Sequence, residues 1–168
     1  MNVINFFCND RNIVYFWNAK QKIIMELTID RCRERFTRYQ SALKRLSEAI
    51  LEYEDFTAES DIIKSMMRDS IIKRFEFTFE LAWKVMKDFA EYNGYEGMAN
   101  SPRNAIRLAM QMGIISDTAW MSMLESRNTM AHVYDEEEAD SIVEELSNYH
   151  NLLVAFDEEM TKKLSEIQ

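Results

Sequence analysis

Only three glycines and one proline punctuate these 168 residues. β-Strands need turn residues at short intervals, whereas long helices need few, so the scarcity points to an all-α fold. The length suits a single domain with one core. An up-and-down antiparallel bundle of four to five helices is therefore expected. Cys8 and Cys32 are too few for a disulfide scaffold or a Cys-rich zinc site, and they suit a reducing, cytoplasmic setting. A net charge of −9 disfavours a general nucleic-acid binder, and no DNA partner is expected. Any phosphate chemistry must use a local basic site. No apolar run approaches the roughly 20 residues needed to span a bilayer, and VINFFCNDRNIVYFW is interrupted by Asp10 and Arg11 where an export signal would be uniformly apolar.

The composition shifts at Met25. Residues 1–24 show neither helical periodicity nor a cap, and two explanations stand. They form an irregular extension that packs its aromatics on the bundle, or Met25 is the natural start and the upstream stretch is not part of the natural product. Residues 25–168 carry the bundle. Its first helix is expected from about Ile29 to Glu52, with Phe36, Tyr39, Leu43, Leu46 and Ile50 as an inward stripe. The second should run from a Ser60 cap to just before Gly94, on the order of 50 Å at the helical rise. Its centre, FEFTFELAWKVM, aligns Phe75, Phe79, Ala82 and Met86, while Phe77 and Trp83 point elsewhere. That second apolar face implies a dimer contact.

Ser101, Pro102 and Gly113 mark a short third helix by cap, first turn and stop. A fourth should begin at a Ser116 or Asp117 cap. A fifth should begin at Asp135, with Glu138 three residues later, and run to about Ile167, matching the second in length as bundle partners do.

Between the last two lies RNTMAHVYDEEEA. Arg127 follows Trp120 by seven residues and Leu124 by three, which puts a guanidinium on an inward stripe where it needs a partner. Glu76 and Glu80 are the candidate counter-ions, with surface pairing to Lys73 or Lys84 as the alternative. Asn128 and His132 share the adjacent face. Arg127 and His132 are about 140° apart on an ideal helix and converge only where the helix ends. A polar cluster tying two helix ends together, with Tyr134 as an amphipathic boundary residue, would account for the same residues. The acidic run reads as a solvated helix N-terminus favoured by the macrodipole. No metal and no cofactor are expected, and the aromatic and methionine stripes read as core.

RNTMAHVY resembles the Arg-x4-His-x-Tyr signature of the HEPN superfamily of small helical bundles. FEFTFELAWK, SPRNAIRLAMQMGII and MLESRNTMAHVYDEEEA resemble one branch of it, the nucleotidyltransferase substrate-binding proteins, over residues from about 27 to 165. Residues 1–24 have no counterpart there. The resemblance implies a partner for a separately encoded minimal nucleotidyltransferase, in the manner of a two-gene toxin–antitoxin module. It further implies that Arg127 and His132, contributed by both subunits of a dimer, cut RNA without a metal, and that Tyr134 accepts an adenylyl group. Asn128 would orient substrate or His132. A second histidine for general-acid work would come from the dimer mate or from the distant His150. The alternative is a non-catalytic adaptor whose Arg127 and His132 corner binds a nucleotide or substrate for the partner. A homodimer and a hetero-oligomer with the nucleotidyltransferase are expected on either view.

Overall fold

A computed structural model describes residues 10–57, 60–130 and 136–167. These form helices α1 (Asp10–Glu54), α2 (Asp61–Tyr92), α3 (Pro102–Gln111), α4 (Ala119–Met130) and α5 (Glu136–Ser165), with no strand among the described residues. The fold is the all-α bundle that the scarcity of turn residues predicts.

The contacts between helices give the up-and-down arrangement. Cys32 meets Val85 and Arg74 meets the Arg45 carbonyl, so α1 and α2 are antiparallel. Arg33 reaches the Ile167 carbonyl and Ser47 reaches His150, so α5 also runs against α1. The expected stripes are the core: Phe36, Tyr39, Leu43, Leu46 and Ile50 of α1 and Phe75, Phe79, Ala82 and Met86 of α2 are all buried. At its centre Phe156 packs edge-on against both Tyr39 and Trp120, with ring centroids 5.3 and 5.6 Å apart, geometries that aromatic quadrupoles favour. The Tyr39 hydroxyl donates to the Leu153 carbonyl at 2.6 Å, which satisfies its one buried polar atom, and burial holds its phenol well above its ordinary pKa.

The helix ends follow local chemistry. Ser101 accepts from the Asn104 amide at 3.3 Å with Pro102 in the first turn, and Gly113 takes φ of 68° just past the end of α3. Asp117 rather than Ser116 caps α4, accepting from the Ala119 amide at 2.7 Å. Ser60 occupies the cap position of α2 with an extended backbone, but its side chain makes no cap bond. The expected cap Asp135 lies outside the described residues.

The N-terminal boundary differs from expectation. Residues 10–24, expected to be irregular, belong to α1, which is 45 residues long and starts well before Ile29. No glycine or proline precedes Gly94, and once a helix is nucleated each added residue gains a hydrogen bond without a break in the ladder. Amphipathic pattern marks where packing begins instead: Ile29 is buried, whereas Ile23, Ile24, Met25 and Leu27 are exposed. The second apolar face of α2 is also only partly as expected. Phe77 is 59% exposed, with Ile62 and Met66 on the same side of the helix, but Trp83 packs against the core and donates its indole N–H to Glu80 at 2.8 Å.

Candidate functional site at the end of α4

Trp120, Met123 and Leu124 fix the rotation of α4 by burying one stripe, and Arg127 continues that stripe toward α2. Its Nη2 lies 3.8 Å from Glu80 Oε2, and its Nη1 donates to Asn128 Oδ1 at 3.3 Å. The Nε–H is buried without a partner. The guanidinium is thus held at its tip by a long ion pair and left with one unused donor at its neck. The side chain is 38% exposed, so an anion can approach the guanidinium, while the Nε–H itself is sealed from solvent.

Of the two candidate counter-ions, Glu80 reaches Arg127 and Glu76 does not. Glu76 binds Lys73 at 2.7 Å. Glu80 is tied on three sides, by Lys84 at 2.8 Å, by the Trp83 indole and by Arg127. Burial pushes its carboxyl up, but the hydrogen bonds from Lys84 and Trp83 and the two nearby cations outweigh burial and hold it below its ordinary value. Both surface pairings and the buried-side pairing read from the sequence are therefore present together.

His132 and Tyr134 lie outside the described residues. α4 ends at Met130 and α5 begins at Glu136. His150 turns away from Arg127: its Nε2 lies 2.6 Å from Ser47 Oγ on α1, and burial lowers its pKa.

Beside Arg127, Ser126 Oγ meets Tyr149 Oη at 2.9 Å and Glu145 at 3.2 Å, while the Tyr149 ring stacks on Phe75. This cluster pins the end of α4 to α5. It is not legible in the sequence, because Tyr149 follows no motif and only its helical register against Leu146 and Leu153 marks it as inward. A second cluster, nearer the C-terminal end of α2, also escapes a reading of the sequence. Asp88, with its side chain 2% exposed, binds Arg31 at 3.0 Å and also Arg35, and Arg31 binds Glu91 at 2.6 Å. The signal that could have found it is a carboxylate three residues after the buried Val85, on the side of α2 that meets α1. Burial outweighs the two arginines and raises the Asp88 carboxyl. Among the described residues no group of three or more His, Cys, Asp and Glu is arranged to hold a metal ion.

Comparison with known proteins gives the family and the fold. Over 116 residues the chain is 25% identical to a Haemophilus influenzae protein named probable ribonuclease HepT, spanning 65% of this chain and 80% of that one. A solved Haemophilus influenzae structure, described as revealing the fold of a substrate binding domain of a nucleotidyltransferase, superposes with a TM-score of 0.69 at 22% identity. It covers 75% of this chain and 98% of the other, which is a likeness of fold. The family described as nucleotidyltransferase substrate binding protein like matches residues 34–162, so it takes in α2 to α4 entirely, the C-terminal part of α1 and most of α5. The chain belongs to that family.

Proposed function

We propose that this chain is the partner of a separately encoded minimal nucleotidyltransferase in a two-gene, toxin–antitoxin-like module, and that Arg127 and His132 form a metal-independent ribonuclease site silenced by adenylylation of Tyr134. The observation that carries the reading is the state of Arg127. It lies on the inward side of α4 with a long, partly exposed pair to Glu80, so a phosphate that reaches the guanidinium displaces little. The relative named as a ribonuclease and the family's description support the two halves of the reading.

In the reaction, a ribose 2′-oxygen attacks the adjacent phosphorus as His132 takes its proton, and Arg127 stabilises the charge on the phosphorane. The bond to the 5′-oxygen breaks, that oxygen gains a proton, and a 2′,3′-cyclic phosphate and a 5′-hydroxyl result. Asn128, already bonded to Arg127, orients the guanidinium. The leaving oxygen needs an acid other than the base that has just been protonated. Since His150 faces α1, the dimer mate's copy of His132 is the proposed donor, which makes the site composite and the active species a homodimer.

Silencing is a nucleotidyl transfer. The Tyr134 oxygen attacks the α-phosphorus of ATP at the partner's active site, loses its proton, and pyrophosphate leaves. The new phosphodiester carries a negative charge beside Arg127 and occupies the place of an RNA phosphate. Incubation with the nucleotidyltransferase, ATP and magnesium should add the mass of an adenylyl group and stop cleavage, and Tyr134→Phe should prevent both. Modification that persists in Tyr134→Phe removes the control mechanism. A sedimentation experiment showing a monomer at micromolar concentration removes the composite site.

The long Arg127–Glu80 pair also favours a second reading, an adaptor in which the same corner holds a nucleotide for the partner without cutting it. RNA that survives incubation with wild-type protein, together with nucleotide binding lost in Arg127→Ala, selects that reading.

A further inference from the structure

Where α1 and α2 run side by side, a groove of about 810 Å³ is lined by Arg38 and Arg45 of α1 and by Lys73, Arg74 and Phe77 of α2. Among the described residues, Glu48 is the one carboxylate lining it. In a chain of net charge −9 this is a local reversal of sign. Its reach does not depend on the whole-molecule charge, since at physiological salt charges beyond about 8 Å are largely screened.

The cations are not spent on internal pairing. Neither Arg38 nor Arg45 has an ion-pair partner among the described residues. Arg74 uses two of its donors on Ser70 and on the Arg45 carbonyl, bonds that aim its guanidinium without neutralising it. Only Lys73 is paired, with Glu76. Arg38 and Arg45 are seven residues apart and therefore on one face, about 10 Å apart along the helix. Phe77, 59% exposed, presents an aromatic ring in the same groove. A row of cations around an exposed ring is the pattern that takes a single nucleic-acid strand, phosphates on the cations and a base on the ring.

The groove also connects to the candidate site. Phe77 and Glu80 are three residues apart on the exposed side of α2, about 4.5 Å of axial rise, and Glu80 holds Arg127. We infer that this groove is the binding track for single-stranded RNA, and that it leads the strand past Phe77 to the phosphate position at Arg127. The inference rests on the ribonuclease reading for the identity of the strand, but binding is measured apart from cleavage.

The test uses the full native chain and a fluorescein-labelled, 2′-O-methylated oligouridylate of roughly 15 nucleotides, a length matched to the upper end of single-strand footprints on small folds. The methylated probe has no 2′-hydroxyl proton to lose and is not consumed. In fluorescence anisotropy, Arg38→Ala/Arg45→Ala should weaken binding at least about tenfold and flatten the salt dependence by about 1.4, roughly 0.7 for each phosphate no longer neutralised. Phe77→Ala should weaken it about fivefold or more, with Phe77→Tyr close to wild type. Arg107→Ala, an exposed cation on α3, should bind as wild type does. Groove variants that bind as tightly as Arg107→Ala overturn the inference, as does a wild-type chain that does not bind the probe. Conversion of a dimer to a monomer by the groove variants, with RNA binding unchanged, overturns it in favour of a second copy of the chain. Groove-dependent binding without cleavage of unmodified RNA leaves the track standing and sinks the ribonuclease reading. Cleavage that is indifferent to the groove does the reverse.

Discussion

Arg127 on α4 and Glu80 on α2 face each other at 3.8 Å, each about a third exposed, so the motif arginine is tethered across the bundle by a pair that water can reach. Such a pair contributes about 0–1 kcal/mol, too little to be the reason for an arginine on an inward stripe. Its use lies in where it leaves the fork.

Glu80→Gln should therefore cost less than about 1 kcal/mol at neutral pH in urea melts. The folded carboxyl titrates below its ordinary value of 4.5, so its contribution is present above that value and lost as pH falls through the lower, folded one. Wild type should lose its small advantage over Glu80→Gln only below about pH 4.5. A variant whose deficit is as large in acid as at neutral pH would show that Glu80 acts through packing and not through charge.

Asp88 should behave in the opposite sense. Burial raises its folded carboxyl, so the folded state takes up this proton before the unfolded chain does, and the group contributes more stability on the acid side than on the neutral side. Asp88→Asn keeps a hydrogen-bond acceptor for Arg31 and Arg35 without a buried charge, and it should cost less than Asp88→Ala. The alanine variant strands two partly buried arginines, at a cost of about 3 kcal/mol, the low end for breaking a buried pair because Arg31 is half exposed. Equal losses in the two variants would contradict the burial argument.

Removing residues 1–24 should leave the melting temperature within about 2 °C of the full chain, because an effect well under 1 kcal/mol shifts a domain of this size by no more. Residues 20–27 are exposed, and Ile29 is the first buried residue among the side chains described. A drop of ten degrees or so on that scale would show that the first turns of α1 are covered in the working molecule.

Much of this architecture is readable in the sequence alone. The inward stripes of α1 and α2 and the Ser101–Pro102–Gly113 framing of α3 follow from periodicity and capping, which are local. The start of α1 is not readable, because a helix can propagate beyond the part that packs, and amphipathicity reports only packing. Glu80 is one of two equal candidates for Arg127 in the sequence. The choice depends on the angle between α2 and α4, which no single helix encodes. The cations of the groove are spread over Arg38, Arg45, Lys73 and Arg74 on two helices, and each alone looks like a solvated surface residue. Only the antiparallel packing of α1 on α2 brings them together.

The most direct measurement is RNA cleavage by the purified full chain in the presence of a metal chelator, with His132→Ala in parallel and its fold checked by circular dichroism. The account predicts that wild-type protein cuts RNA to leave 2′,3′-cyclic phosphate ends, and that folded His132→Ala is slower by about 100-fold or more, the scale of a lost general base. Folded His132→Ala that cuts at the wild-type rate, or wild-type protein that leaves RNA intact, would contradict it.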